Sequence, residues 1–153
     1  MIIAITKHLT DEQLREVNAL WDTEYQQTLN GRFPKLLDGV DDYCHYLVER
    51  QGRVVAWAVH FNKDEEVRFS IIVSADQQGN GIGKLLIDQL KKDLQCFYGW
   101  VVDNNYHLKA DGTFYQSPLQ FYIKQGFEVL HDQRIDNEML NAVKVRWVRG
   151  ELQ

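Results

Sequence analysis

The stretch IIVSADQQGNGIGKLL occupies residues 71–86. It opens with β-branched apolar residues that predict a buried strand, passes through a glycine-rich turn, and continues into an amphipathic helix. Glycines allow backbone amides to approach a ligand closely, and the unpaired amides of a helix N-terminus attract phosphate. This order of strand, turn and helix therefore predicts a pyrophosphate-binding loop.

Two well-known phosphate-binding loops do not match the stretch. A Walker A loop, G-x-x-x-x-G-K-[ST], would need glycine at Gln78 and a hydroxyl residue at Leu85, so its magnesium ligand is missing. A G-x-G-x-x-G dinucleotide fingerprint would need glycine at Lys84 or Leu86. The six residues that begin at Gln78 match a third pattern, Q/R-x-x-G-x-G/A. A nucleotide hydrolase is therefore disfavoured.

Hydrophobic periodicity predicts strands and helices on both sides of this loop. A helix opens at Thr10, which has capping-box spacing to Gln13, and residues 26–39 are rich in turn formers. A short helix or turn is predicted near 41–45, and another short helix begins at Ser117. Strands are predicted at residues 1–6, 46–49, 54–61, 67–74, 97–102, 127–130 and 143–148. Hairpins mixed with helical crossovers predict an α/β (α+β) fold, a mixed sheet with helices on both faces.

The strand at 54–61 is apolar on both faces, which is typical of the centre of a covered sheet. Simple alternation places Val55, Trp57, Val59 and Phe61 on one face, and Val54, Ala56 and Ala58 on the other.

The composition is that of an ordinary globular protein. The chain has 153 residues, of which 44% are hydrophobic and 25% charged, and this fits one domain over residues 1–153. The formal net charge of −5 disfavours a nucleic-acid partner, and no apolar run is long enough to cross a bilayer. Cys44 and Cys96 lack CxxC spacing, so no metal site is predicted. We therefore expect a cytoplasmic protein that binds neither membranes nor nucleic acids.

A second motif lies downstream, where residues 121–127 read FYIKQGF. With the loop before it and a strand between the two, the chain resembles the GNAT family, the Gcn5-related N-acetyltransferases, over roughly residues 54–130. The resemblance implies a mixed, mostly antiparallel sheet. It also implies transfer of an acetyl group from acetyl-CoA to a primary amine by direct attack in a ternary complex. The implied acceptor is a small-molecule or peptide amine, and the implied assembly is a monomer or homodimer.

The resemblance assigns roles to residues of both motifs. Main-chain groups of residues 71–73 would hold the pantetheine arm, amides of residues 79–84 would hold the pyrophosphate, and Tyr122 would protonate the departing thiolate. No metal is implied. The cofactor-binding residues implied in this way are Ile71, Ile72, Val73, Gln78, Gly79, Asn80, Gly81, Ile82, Gly83, Lys84, Ser117 and Phe121.

The sequence departs from the family pattern just before the second motif. The family's usual Asn and Ala stand six and three residues before Phe121, where this chain has Tyr115 and Pro118. Ser117 is the proposed replacement for the Asn contact. Ser117 is also predicted to cap the helix, with Gln120 at the capping-box position.

Three questions stay open at the level of sequence. The general base is unassigned: Glu65 and Glu66 precede a central strand where some family members carry one, and a water chain is the alternative. Asp103 and His107 are interpreted as exposed loop residues. A non-catalytic acyl-CoA sensor on the same fold is the rival function.

The third question is the acceptor. Acidic residues crowd the stretch 20–45 and predict a cationic amine acceptor. These residues are Asp22, Glu24, Asp38, Asp41 and Asp42.

Overall fold

In the part of the chain that the structure describes, seven strands form one sheet in the order β1-β2-β3-β4-β5-β7-β6. The computed structural model describes residues 2–40 and 42–150, so Met1, Asp41 and residues 151–153, with the parts of predicted elements that fall on them, lie outside the described residues. The strands are β1 Ile3–Thr6, β2 Tyr43–Arg50, β3 Arg53–Lys63, β4 Glu66–Val73, β5 Cys96–Val102, β6 Glu128–Asp136 and β7 Asn141–Val148.

Four α-helices and two short 3-10 helices connect the strands of the described chain. The capping box predicted at the start of α1 is confirmed: Thr10 Oγ1 accepts from the Gln13 amide at 3.1 Å, and Gln13 Oε1 accepts from the Thr10 amide at 3.0 Å. The α-helices are α1 Asp11–Glu24, α2 Phe33–Leu36, α3 Ile82–Asp93 and α4 Leu119–Lys124, and the 3-10 helices are Gln27–Leu29 and Ala75–Gln77.

Every neighbouring pair of strands is antiparallel except β4 and β5. These two run parallel and share a single register pair, Arg68 with Tyr98. Beyond that pair their carboxyl-terminal halves are no longer joined by backbone hydrogen bonds. The sheet therefore has a gap between residues 69–73 of β4 and residues 99–102 of β5.

Apolar residues fill a cluster on each face of the sheet. The α1-side cluster contains Val17, Trp57 and Phe61, and the α3-side cluster contains Leu86 and Phe97, all buried. The helices α1 and α3 each bury an apolar stripe against the sheet, as the periodicity predicts. The predicted fold class is confirmed: the sheet is mixed and mostly antiparallel, with helices on both faces.

Some predicted boundaries and faces are wrong for local reasons. Residues 43–45 belong to β2 and form no helix or turn, because Val59, His60 and Phe61 of β3 provide backbone partners for them. The predicted alternation along β3 also fails at its start. Val48 pairs with Ala56 and Glu49 with Val54, so a β-bulge leaves Val55 without a partner in β2. As a result, Val54 joins the α1-side cluster and Val55 the α3-side cluster.

Candidate active site

A cavity of about 820 Å³ occupies the gap between β4 and β5. Its wall is built from the separated ends of these strands, the start of α3, the helix α4 and the segment from α1 to α2. Asn80 is the one predicted cofactor-binding residue outside this wall. The predicted residues that line the cavity are Ile71, Ile72, Val73, Gln78, Gly79, Gly81, Ile82, Gly83, Lys84, Ser117 and Phe121, together with Tyr122.

The glycine loop presents open backbone to the cavity. Gly79 and Gly81 have positive φ angles of 84° and 79°, and a Cβ atom added to either would meet nothing within 4 Å. Gly81 is the N-cap of α3, so the first amides of the helix have no carbonyl of an earlier turn to bond. An added Cβ at Gly83 would lie 3.3 Å from Phe121 Cζ. The loop therefore has the space, the free amides and the dipole that an anion needs.

Side chains around the loop hold its ends in place. Gln78 Nε2 donates to the carbonyl oxygen of Val73 at 3.1 Å, which closes the turn between β4 and α3. Lys84 Nζ lies 2.7 Å from Asp88 Oδ2, and the Lys84 side chain is 60% exposed. Lys84 therefore reaches the cavity as one member of an exposed ion pair.

The free edge of β4 faces the same cavity. Tyr25 Oη donates to the Ile71 carbonyl at 3.3 Å, and Gln78 reaches the Val73 carbonyl, so both carbonyls point away from β3. The amide and the carbonyl of a residue in an extended strand point to the same side. The amides of Ile71 and Val73 therefore face the gap, and alternation directs the polar main-chain groups of Ile72 towards β3.

Tyr122 brings a buried phenol to the cavity wall. It lies on α4, is 5% exposed, and its ring packs against Phe69 at 5.6 Å and Phe127 at 5.3 Å. Burial raises the pKa of Tyr122 well above 10, and the nearby Tyr25 and Tyr115 raise it further. The phenol therefore keeps its proton throughout the neutral range and is available there as a proton donor.

Two further phenols stand beside Tyr122. The rings of Tyr25 and Tyr115 meet edge to face with centroids 6.2 Å apart, and both residues line the cavity. Burial raises the pKa of Tyr25 to about 12 and raises the pKa of Tyr115 as well. Tyr115, at the family's Asn position, therefore adds a neutral aromatic wall where an amide is usual.

The comparisons with known proteins identify the family. A family model described as "Acetyltransferase (GNAT) domain" matches residues 41–129. The chain belongs to the GNAT acetyltransferase family. None of the curated proteins matches it.

Solved structures share the fold of this GNAT chain. An aminoglycoside 6'-N-acetyltransferase complexed with coenzyme A is 13% identical, with a TM-score of 0.69 over 99% of this chain and 100% of that chain. The ribosomal-protein-S18-alanine N-acetyltransferase of Escherichia coli is 15% identical, with a TM-score of 0.67 over 99% and 97%. The aminoglycoside 6'-N-acetyltransferase of Enterococcus faecium is 11% identical, with a TM-score of 0.68 over 99% and 100%. At these identities the likeness establishes the fold and leaves the acceptor open.

In this GNAT chain, Ser117 ties α4 to β5. Its Oγ donates to the Val102 carbonyl at 2.5 Å and accepts from the Leu119 amide at 3.2 Å. The predicted cap is wrong in detail, because Pro118 takes the N-cap position and no side chain caps the helix there. Ser117 therefore fixes the position of α4 from the residue that precedes the N-cap.

The candidate proton acceptors lie away from the cavity. Glu65 sits in the exposed turn between β3 and β4. Glu66 is held by Lys144 at 2.6 Å and Arg68 at 3.2 Å. Burial alone would raise the pKa of Glu66, but these two cations outweigh it and lower the pKa. A carboxylate held in this way is a weak base.

The loop candidates are also engaged by other residues. Asp103 pairs with Arg134 at 2.6 Å, and His107 Nε2 lies 3.1 Å from Asn141 Oδ1. Neither residue lines the cavity.

The predicted carboxylate cluster does not form an acidic wall in the described part of the chain. Asp22 accepts from the Gly31 amide at 2.8 Å, Asp42 accepts from Asn62, and Asp38 is exposed. Asp41 lies outside the described residues. Of the four described acids, Glu24 alone lines the cavity.

Glu24 is a structural member of the site that sequence reasoning placed in the wrong role. It is 8% exposed, pairs with Lys109 Nζ at 3.2 Å, and accepts from the Ala75 amide at 3.0 Å. It therefore joins α1 to the 103–116 loop and to the turn after β4. A charged residue next to the apolar stripe of α1 is the one sequence signal for this position.

No metal site is evident among the residues described, where no three His, Cys, Asp or Glu side chains are grouped to hold an ion. None of the described helices is long and apolar enough to span a membrane.

Proposed function

We propose that this chain is an N-acetyltransferase that transfers an acetyl group from acetyl-CoA to a primary amine in a ternary complex. One observation carries the proposal: the open glycine loop, the free edge of β4 and the buried phenol of Tyr122 all face one cavity. An anion site, a strand edge and a proton donor are the three features that a thioester donor with a pyrophosphate arm requires.

The donor would lie along the gap between the two strands. The amides of residues 82–84 would bind the pyrophosphate at the start of α3. The amides of Ile71 and Val73 would bind the pantetheine arm as a neighbouring strand does. Phe121 would pack beside the loop, because its ring already lies close to Gly83.

The chemistry follows from these positions. The neutral amine forms a bond to the thioester carbonyl carbon, and the carbon–sulfur bond breaks. A backbone amide of β4 stabilises the charge that develops on the carbonyl oxygen. Tyr122 Oη donates its proton to the leaving sulfur, and the nitrogen loses a proton to water, from which Tyr122 is reprotonated. Water is the proposed acceptor because Glu24, the described carboxylate in the wall, is already paired with Lys109.

The test is an assay of thiol release from acetyl-CoA with a panel of amines, run beside calorimetry of acetyl-CoA binding. Binding together with amine-dependent thiol release and an acetylated product supports the proposal. Tight binding without turnover of any amine contradicts it and favours a non-catalytic acyl-CoA sensor. Absence of both overturns the assignment of the donor site as well.

A further inference from the structure

The charged side chains of the cavity wall are mostly basic. Five charged side chains line the wall. Two of them are neutralised locally, since Glu24 pairs with Lys109 and Lys84 pairs with Asp88. The other three are Lys35 on α2 and, at the end of β4 opposite the glycine loop, Lys63 and Arg68.

The register of β3 and β4 places two of these bases side by side. Phe61 pairs with Arg68, and Lys63 pairs with Glu66, so Lys63 and Arg68 are diagonal neighbours on one face of the hairpin. Diagonal neighbours in an antiparallel pair are about 7–8 Å apart, within reach of long side chains. Their face is the α1 side, because Phe61 belongs to the α1-side cluster.

Lys35 approaches the same face from α2. The neighbouring Phe33 anchors this short helix, since its ring packs edge to face on Trp57 with centroids 5.4 Å apart. Trp57 and Phe61 both face α1 from β3. Lys35 and Lys63 are therefore both in the cavity wall on the α1 side of the sheet, one on the helix and one on the strand, and this side is called the rim.

No acidic residue in the described part of the cavity wall is left to neutralise the two lysines, because Glu24 is paired with Lys109. Arg68 forms ion pairs with Asp64 and Glu66 at 3.2 Å each, and Glu66 also pairs with Lys144. The charges of these four side chains therefore sum to zero. Within the described residues, Lys35 and Lys63 form no ion pair. Opposite charges attract most strongly in a cleft with low-dielectric walls, so the rim favours an anion.

The wall next to the rim is apolar. It consists of side chains from α2, β3, β5 and the hairpin between β6 and β7, namely Leu36, Phe61, Trp100, Ile135 and Leu140. Apolar walls with a few charged groups at one edge select a ligand with an apolar body and one charged end.

We propose, on the basis of the acetyltransferase function proposed above, that the acceptor is an amine with an apolar body and an anionic group. Lys35 and Lys63 hold that group, a carboxylate or a phosphate, while the body packs against Phe61 and Trp100. This replaces the cationic acceptor that the acidic stretch 20–45 predicts from sequence alone.

The experiment compares amines that differ in one group. Phenylalanine and phenethylamine share a body and differ in the carboxylate, phosphoethanolamine and ethanolamine differ in the phosphate, and spermidine represents cationic amines. Values of kcat/KM are compared at equal concentrations of the neutral amine. We expect the anionic member of at least one pair to be preferred by about tenfold, which corresponds to about 1.4 kcal/mol. The pair that shows the preference tells carboxylate from phosphate.

Variants of the rim connect that preference to the two lysines. Lys35→Met with Lys63→Met keeps the apolar stems and should remove most of the preference, while acetyl-CoA binding by calorimetry is unchanged. Lys92→Met, an exposed lysine on α3 outside the cavity, is the matched control and should keep the preference.

Three outcomes overturn the proposal. The first is that phenethylamine, ethanolamine and spermidine are turned over as well as or better than phenylalanine and phosphoethanolamine. This result leaves the acetyltransferase function standing. The second is an anionic preference that survives the double substitution. The third is acetyl-CoA binding with no turnover of any amine, which contradicts the proposed function itself.

Discussion

The phenol of Tyr122 is the single side chain on which the proposed reaction most depends. Burial keeps the phenol protonated, so Tyr122→Phe should remove the proton donor and leave the packing against Phe69 and Phe127. We expect kcat to fall by about a hundredfold, the lower end of the range for general acids, with acetyl-CoA affinity unchanged. Steady-state kinetics and calorimetry measure the two effects.

Tyr98 offers a matched control for this substitution. It lies on β5 outside the cavity wall, so Tyr98→Phe should leave kcat unchanged. If Tyr122→Phe changes kcat by less than about twofold, Tyr122 serves packing alone, and Tyr115 becomes the phenol to replace next.

Residues of the donor end could be predicted from sequence because short motifs place them. The residues of the loop at 78–83 are close together in sequence, and so are those of the motif at 121–127. Lys35 and Lys63 are different, since they reach one cavity only after α2 and the end of β3 pack on the same face of the sheet. Tyr25 likewise shows a helical apolar spacing, and only the fold brings its hydroxyl to Ile71.

At the scale of elements, the glycine turn before α3 links the central strand to the anion site. Gly81→Val would add a side chain in the open space of the turn and strain a backbone with φ of 79°. We expect acetyl-CoA binding to weaken by about tenfold or more. The strain should also lower the free energy of unfolding by about 1–3 kcal/mol. Calorimetry and urea unfolding measure these two effects separately.

Gly52 provides the control for backbone strain. It has φ of 73° in the turn between β2 and β3, and an added Cβ there also meets nothing within 4 Å. Gly52→Val should therefore lower the stability to a similar degree and leave the affinity for acetyl-CoA intact. Equal affinity in both variants would show that the turn at Gly81 does not bind the donor.

Element type and order could be predicted from periodicity, whereas several ends and one face could not. The bulge at Val55 inserts a residue into β3 without any glycine or proline to mark it. The early start of β2 at Tyr43 depends on backbone partners offered by the far end of β3. Such pairings are long-range properties that local spacing does not encode.

At the scale of the whole molecule, stability should fall in mild acid. His45 is 3% exposed and accepts from Trp57 Nε1 at 3.0 Å, and burial lowers its pKa from 6.5 to about 4, with a smaller effect of His8. Below about pH 6.5 the His45 imidazole binds a proton in the unfolded chain but stays neutral in the folded chain. The free energy of unfolding therefore decreases from pH 6.5 towards pH 4. Burial also lowers the pKa of His60, so His60 adds to the loss of stability in mild acid.

Urea unfolding at about pH 7.5 and about pH 5 measures this loss. His45→Gln should reduce the difference between the two midpoints, and His131→Gln, at an exposed site, should not. The Arg134 side chain lowers the pKa of Asp136 from 3.8 to about 2, so Asp136 affects stability only at more acidic pH. An unchanged pH dependence in His45→Gln would assign the acid sensitivity to other groups.

The single backbone pair between β4 and β5 also determines how fast amide hydrogens exchange with deuterated water. The Ile71 and Val73 amides have no strand partner in the gap, so they should exchange rapidly although they lie in the middle of a seven-stranded sheet. The amides of Ser70 and Ile72, directed towards β3, should exchange slowly. Acetyl-CoA should slow exchange at Ile71 and Val73 and leave the other two unchanged, giving an alternating footprint along one strand that nuclear magnetic resonance can read residue by residue. Uniformly slow exchange along β4 without ligand would mean that the two half-sheets are joined more closely than one pair allows.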